Sequence, residues 1–217
     1  MTKITPDLLI EAYKVGIFPM AHSRDDPKIE FFDPDPRGII PLETFHIPRS
    51  LRKLIRKGIF KVTYNSAFPN VIQGCSQVSR IRPTTWINDE IKTLYHRLFE
   101  KGYCHSIEIW RDKNIVGGLY GVSIGAAFFG ESMFSLEPNA SKVALVHLVA
   151  SLKQEGFVLL DSQFTNKHLV QFGAINIPRA DYKKRLDFAI NLKATFPERY
   201  PDLNYVLEPE HFRTQTS

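Results

Sequence analysis

Glu131 lies inside an apolar, glycine-bounded run, Phe129-Gly130-Glu131-Ser132-Met133-Phe134-Ser135, and Asp161-Ser162-Gln163 closes a second apolar run further on. Carboxylates carried by buried segments are costly unless they are paired or used. A strand holds its side chains firmly enough for chemistry. Asp161 and Gln163 occupy alternate positions, so on a regular strand they share a side. There the aspartate can fix the amide of Gln163, whose oxygen then meets a reacting amine. Glu131 nearby could bind or discharge an ammonium. Taken singly, each acid is equally well read as a structural carboxylate or a helix cap.

A second constellation is electrostatic. No acidic residue occurs between Glu43 and Asp89, while that stretch carries Arg49, Arg52, Lys53, Arg56, Lys57, Lys61, Arg80 and Arg82. In His46 to Lys57 the cations recur every three to four residues, opposite Leu51, Leu54 and Ile55. With no interleaved acid to form i,i+4 pairs, this face suits a phosphate backbone better than water alone.

These groups need elements to hold them. Thr5-Pro6-Asp7 starts a helix to Lys14 that Gly16 ends. The segment from Phe18 to Pro41 reads as irregular, with Asp33-Pro34-Asp35-Pro36-Arg37 as a stiff turn. Pro48 to Lys57 is a short helix, Phe60 to Tyr64 a strand, Asn65 to Ser76 helical, and Asn88 to Lys101 a helix stopped by Gly102. His105 to Arg111, Ile115 to Ser123 and Ala126 to Phe134 alternate like antiparallel strands. Asn139 is placed to cap a helix over Ala140 to Gln154. Phe157 to Leu160, apolar throughout, predicts a strand covered on both faces, followed by a short helix at Asn166 to Phe172 and another helix at Arg179 to Leu192. The pattern is α+β: a small N-terminal domain, residues 1–60, and an acyltransferase-like domain, residues 61–217, with a mixed, mostly antiparallel sheet.

The bulk properties agree with a soluble enzyme. The chain has 217 residues, 43% hydrophobic and 24% charged, and a net charge of +5. No run is long enough to span a membrane, and the N-terminal residues lack the pattern of a secretory signal, so a cytoplasmic location is expected. Cys75 and Cys104 lack metal or redox spacing and predict two reduced thiols. The histidines are scattered, so no metal is expected. Gly117-Gly118-Leu119-Tyr120-Gly121 is no dinucleotide fingerprint, and no Gly-x-Ser-x-Gly elbow occurs.

Several segments, in order, resemble the bacterial leucyl/phenylalanyl-tRNA–protein transferases. They include Gly16-Ile17-Phe18-Pro19, Asp33 to Arg37, His46 with Arg49-Ser50, Thr85-Trp86-Ile87 and His105 to Trp110. The series continues through Val116 to Val122, Gly130 to Ser135, Asn139 to Lys142, Asp161 with Gln163, Gly173-Ala174 and Ile177 to Arg179. Each motif is weak alone; the ordered set is specific. The resemblance implies a GNAT-type catalytic domain. It implies transfer of Leu or Phe, and less well Met, from aminoacyl-tRNA to the N-terminal Arg or Lys of proteins, creating a degradation signal. No cofactor is implied, and a monomer is expected. By position, Asp161, Gln163 and Glu131 match the catalytic set. Trp86, Phe128, Met133, Leu119 and Met20 match donor-site positions, and Arg49, Lys53, Arg56 and Lys57 match tRNA contacts. The sequence departs from the family at Met20, where Trp is usual, at Phe31-Phe32 for a Trp pair, at Ser162 for Cys and at Leu119 for Met. Two rivals remain: a CoA-dependent N-acyltransferase, which would want a pyrophosphate loop absent after Phe134, and a non-catalytic RNA-binding module, which leaves the acidic sites unexplained.

Overall fold

A computed structural model describes residues 4–78, 83–198 and 200–207; Arg80 and Arg82 lie outside them. Helix α1 (Pro6–Lys14) begins where the Thr5 hydroxyl accepts the Leu8 N–H at 3.2 Å, and Pro6 occupies the first turn, where no N–H partner is needed. Gly16, at φ 79°, turns the chain out of it. The segment expected to be irregular instead holds three short strands. β1 (Phe18–Ala21) and β2 (Ile29–Phe32) form a separate antiparallel pair, and β3 (Arg37–Ile39) joins the main sheet. Pro and Asp flanks hide them, because strands of three or four residues leave too little alternation to read.

Next come α2 (Arg49–Arg56), β4 (Lys61–Tyr64), α3 (Phe68–Ser76) and α4 (Asp89–Glu100). α4 starts at Asn88, whose side chain accepts the Ile91 N–H at 2.8 Å. α3 starts later than its apolar residues suggest. Asn65 takes a positive φ of 54°, and the Glu108 carboxylate draws in the N–H groups of Ser66 and Ala67. The meander β5 (Cys104–Arg111), β6 (Asn114–Ile124), β7 (Ala127–Ser135) follows as expected. α5 (Ala140–Gln154) also forms, but its cap differs. Asn139 adopts φ 69° and makes no side-chain cap bond; the Ser135 hydroxyl accepts the Ser141 N–H instead, at 3.1 Å. β8 (Leu159–Gln163), α6 (Lys167–Val170), β9 (Ile175–Ile177), α7 (Arg179–Ile190) and α8 (Asn204–Leu207) complete the order.

The seven strands run in the order β4-β5-β6-β7-β8-β3-β9. β7 and β8 are parallel; the other pairs are antiparallel. The result is the α+β layout with a mixed sheet that the sequence predicts. One face of the sheet packs on α2, α5 and α6, the other on α1, α3, α4 and α7, each over its own apolar cluster. α2 and β3, both ahead of residue 60, lie against α5 and within the sheet respectively.

Candidate active site

β7 and β8 are partners only at Ala127–Leu159, Phe128–Leu160 and Phe129–Asp161. Beyond Gly130 they diverge, and a cavity of about 1290 Å³ opens between them. Its wall on the α5 side is apolar: Ile40, Leu119, Met133, Leu145, Leu148 and Leu160. Met20 and Trp86 contribute to the opposite wall, and Glu131, Asp161 and Gln163 line it at the split.

Both acidic positions sit at breaks in strand register. On β7, Gly130 faces Gly121 and Ser132 faces Tyr120, so Glu131 is the extra residue of a bulge. Bulges re-aim side chains. This one turns the carboxylate onto the Tyr13 and Tyr95 hydroxyls, at 2.6 and 2.7 Å, and onto the Gln163 amide nitrogen at 2.9 Å. On β8, Gln163 faces Gly38 and Asp161 faces Ile39, which makes Ser162 the extra residue. The Phe164 N–H then donates back to the Ser162 carbonyl at 2.6 Å, around a Gln163 with φ 62°. A non-glycine residue in such a tight turn carries roughly 1–3 kcal/mol of strain. Gly38 makes room for it, since a Cβ there would meet the Phe164 carbonyl carbon at 2.6 Å.

Burial pushes the Glu131 carboxyl up to about 7, against its three hydrogen-bond donors and with a further upward push from Asp161. The same burial, with Glu131 beside them, raises the Tyr13 and Tyr95 hydroxyls well above their ordinary value. Asp161, fully buried, is engaged on both oxygens. Arg37 donates to Oδ1 at 3.0 Å and to Oδ2 at 2.6 Å, Tyr182 to Oδ2 at 2.7 Å, and the Gln163 backbone N–H to Oδ1 at 2.8 Å.

One expected detail is therefore corrected. Asp161 grips the backbone of Gln163, and it is Glu131 that orients the amide. Because the amide nitrogen faces the carboxylate, its oxygen points elsewhere. Phe128 also differs from expectation. It is fully buried off the cavity and stacks on Phe196 at 5.5 Å. Met20, Trp86, Leu119 and Met133 do line the cavity. The pattern reading missed the partners Arg37, Tyr13, Tyr95 and Tyr182, and the pocket residues Ile40, Leu145, Leu148 and Leu160. Arg37 stood only inside a matching motif.

On α2, Arg49, Lys53, Arg56 and Lys57 are exposed, while Arg52 is half-buried and donates to the Ile47 and Leu207 carbonyls at 3.1 and 2.9 Å. The surface thus presents four cations from this run; the fifth ties the helix to the C-terminal residues.

Family models decide the kinship: residues 39–187 match the leucyl/phenylalanyl-tRNA protein transferase model, and residues 2–35 match that family's N-terminal domain. The chain belongs to this family. The leucyl/phenylalanyl-tRNA–protein transferase of Maricaulis maris (strain MCS10) is 55% identical over 188 residues, covering 87% of each chain. Membership makes this chain an aminoacyltransferase that moves an aminoacyl group from tRNA to protein. Two solved structures that it resembles are more distant. L-PGS from Bacillus licheniformis is 12% identical with a TM-score of 0.42, over 76% of this chain and 61% of its own. The C-terminal domain of a putative lysylphosphatidylglycerol synthetase from Agrobacterium fabrum is 15% identical with a TM-score of 0.40, over 85% and 62%. The chain spans about three-fifths of the length of these two structures, and neither bears on its reaction.

Proposed function

We propose that this protein transfers Leu or Phe, and Met more slowly, from aminoacyl-tRNA to the N-terminal Arg or Lys of proteins, marking them for degradation in the cytoplasm. The observation that carries the reading is the Glu131–Gln163 pair at the split, facing an apolar pocket. An aminoacyl ester is already activated, so the reaction needs positioning and proton handling rather than ATP. The acceptor amine adds to the ester carbonyl carbon. The bond from that carbon to the ribose oxygen breaks, the nitrogen loses a proton, and the ribose oxygen gains one. Gln163 offers its amide oxygen to an N–H of the attacking amine. Glu131, when ionised, stabilises the cationic nitrogen as it forms and holds its proton.

The donor side chain occupies the pocket of Leu119, Met133, Leu145 and Leu148, which suits an apolar chain unbranched at Cβ. A missing methylene changes fit by only ~1–3 kcal/mol, so Met passes at a reduced rate. Met20 and Trp86 flank the 3′ adenosine. Methionine supplies apolar area there without a stacking ring. Arg49, Lys53, Arg56 and Lys57 hold the tRNA backbone without reading sequence, and the protein works as a monomer.

The test is transfer of radiolabelled Leu, Phe and Met from charged tRNA to peptides beginning with Arg, Lys or Asp. The expected result is Leu and Phe above Met, on Arg and Lys peptides only. Equal labelling of the Asp peptide overturns the acceptor rule, and a Met rate equal to that of Leu overturns the pocket assignment.

A further inference from the structure

The four contacts on Asp161 occupy both of its oxygens, so its influence on the reaction runs through the backbone of Gln163. That backbone is in an unfavourable turn, with φ 62°, and the Asp161 carboxylate accepts its N–H. What keeps the carboxylate itself in place is Arg37. The two side chains are both 0% exposed and form a two-point ion pair through Nε and Nη2. The guanidinium lies over the Phe18 ring at 4.7 Å and the Tyr182 ring at 4.3 Å. Its remaining nitrogen, Nη1, donates to the Gly16 carbonyl at 2.8 Å. Arg37 is not among the residues lining the cavity. It nonetheless touches the turn between α1 and β1, and those two elements carry Tyr13 to Glu131 and Phe18 and Met20 to the cavity wall.

We propose that Arg37 is a positioning residue for aminoacyl transfer: its guanidinium fixes the Asp161 carboxylate, and through it the Gln163 turn, relative to the N-terminal segment. The proposal rests on the reading of Gln163 as the group that meets the amine. A lysine would keep the charge, but one ammonium cannot span both carboxylate oxygens and the Gly16 carbonyl in the same plane.

The test compares full-length Arg37→Lys, Gln163→Ala and wild-type protein in single-turnover transfer from labelled aminoacyl-tRNA to an Arg-initiated peptide. Arg37→Lys is expected to slow the rate constant roughly 10- to 100-fold, the effect of a small displacement at a reacting centre. The reaction amplitude and the KM for tRNA stay near wild type. A lowered amplitude with an unchanged rate constant means Arg37 only supports the fold, and overturns the proposal. If Arg37→Lys does not fold, the double variant Arg37→Met with Asp161→Asn serves, since removing both charges of a buried pair is often tolerated. It should fold and remain slow, because the side chain at 161 can still accept the Gln163 N–H but has lost the two-point hold of Arg37 and keeps only Tyr182 as a further partner; a wild-type rate constant from it overturns the proposal. A Gln163→Ala rate equal to wild type defeats the underlying reading of Gln163. A slow Gln163→Ala beside an unaffected Arg37→Lys defeats the Arg37 proposal alone.

Discussion

Glu108 and Glu131 are both buried glutamates in the middle of strands of one sheet, and both carboxyls are raised chiefly by burial. Glu108, on β5, accepts from the Thr63 and Ser106 hydroxyls, each at 2.5 Å, and from the N–H groups of Ser66 and Ala67 at 3.4 and 3.3 Å. Its donors close the loop between β4 and α3, and it lies away from the large cavity. Glu131 has two phenols and one amide as donors, and it lines that cavity. Burial and saturation by hydrogen bonds therefore do not by themselves distinguish the carboxylate we propose to be reactive from one that closes a loop. What separates the two is the bulge that turns Glu131 toward an opening between strands, and a partner, Gln163, that itself has a free end.

The sharpest way to break this contrast is Gln163→Ala. We expect transfer to fall by roughly 10²-fold or more, in the range of lost acid–base or polar stabilisation. Affinity for tRNA should not change. A loss of tRNA binding in parallel with activity would place Gln163 in binding rather than chemistry.

Glu131→Gln should have the next largest effect, a slowing of roughly 10-fold at neutral pH, with a changed pH profile. The Glu131 carboxyl is raised to about 7. Its ionised form therefore grows in as pH rises through that value, and wild-type transfer should climb over the same interval. The variant should keep only the titration of the acceptor amine. Stability runs the other way. Because the folded value lies above that of an unfolded glutamate, the folded state gains from the protonated form and loses that gain between ordinary carboxylate values and about 7. Thermal melts at pH 5 and pH 8 should diverge more for wild type than for Glu131→Gln.

Only the Glu131 half of this contrast was legible beforehand, since Glu108 was not singled out in the sequence, and the missing part has a physical cause. Long apolar periods announced α4, α5 and the β5–β6–β7 meander, and Glu131 and Asp161 stood out because charge in such runs is rare. Strand alternation then misassigned the roles at β8. The bulge at Ser162 and the positive φ of Gln163 break the two-residue period on which the expected Asp161-to-amide contact depended. Arg37 was hidden for a related reason. It belongs to a three-residue strand behind Asp33-Pro34-Asp35-Pro36, where local composition reads as a turn and only the sheet pairing shows a buried cation. Phe128 matched a donor-site position but stacks on Phe196 and does not line the cavity, although its partner Leu160 does.

A smaller effect tests the pocket. Leu148→Phe adds a ring to the wall shared with Leu145 and Met133. It should lower Phe transfer more than Leu transfer, shifting their ratio several-fold, within the ~1–3 kcal/mol a shape change of this size controls. The pH profile should stay as in wild type, because Glu131 and Gln163 are untouched. A shifted ratio with an unshifted profile would separate donor fit from proton handling.

Glu108→Gln should have the smallest effect on transfer and the clearest effect on folding. The amide replaces one acceptor oxygen by a donor, which must face a hydroxyl or a backbone N–H that had been donating. Each carboxylate oxygen accepts one hydroxyl and one backbone N–H, and whichever oxygen is replaced, the backbone N–H on that side cannot reverse. One donor is left unmatched in a buried site, at a cost of about 1–3 kcal/mol. Since the Glu108 carboxyl is raised by burial, wild type itself loses stability as pH rises through the range where that group ionises, and the variant should lose less. Denaturant unfolding should therefore show the gap between the two proteins narrowing toward higher pH, with transfer per folded molecule equal throughout. A transfer defect that survives correction for the folded fraction would make Glu108 part of the chemistry, and the contrast with Glu131 would fail.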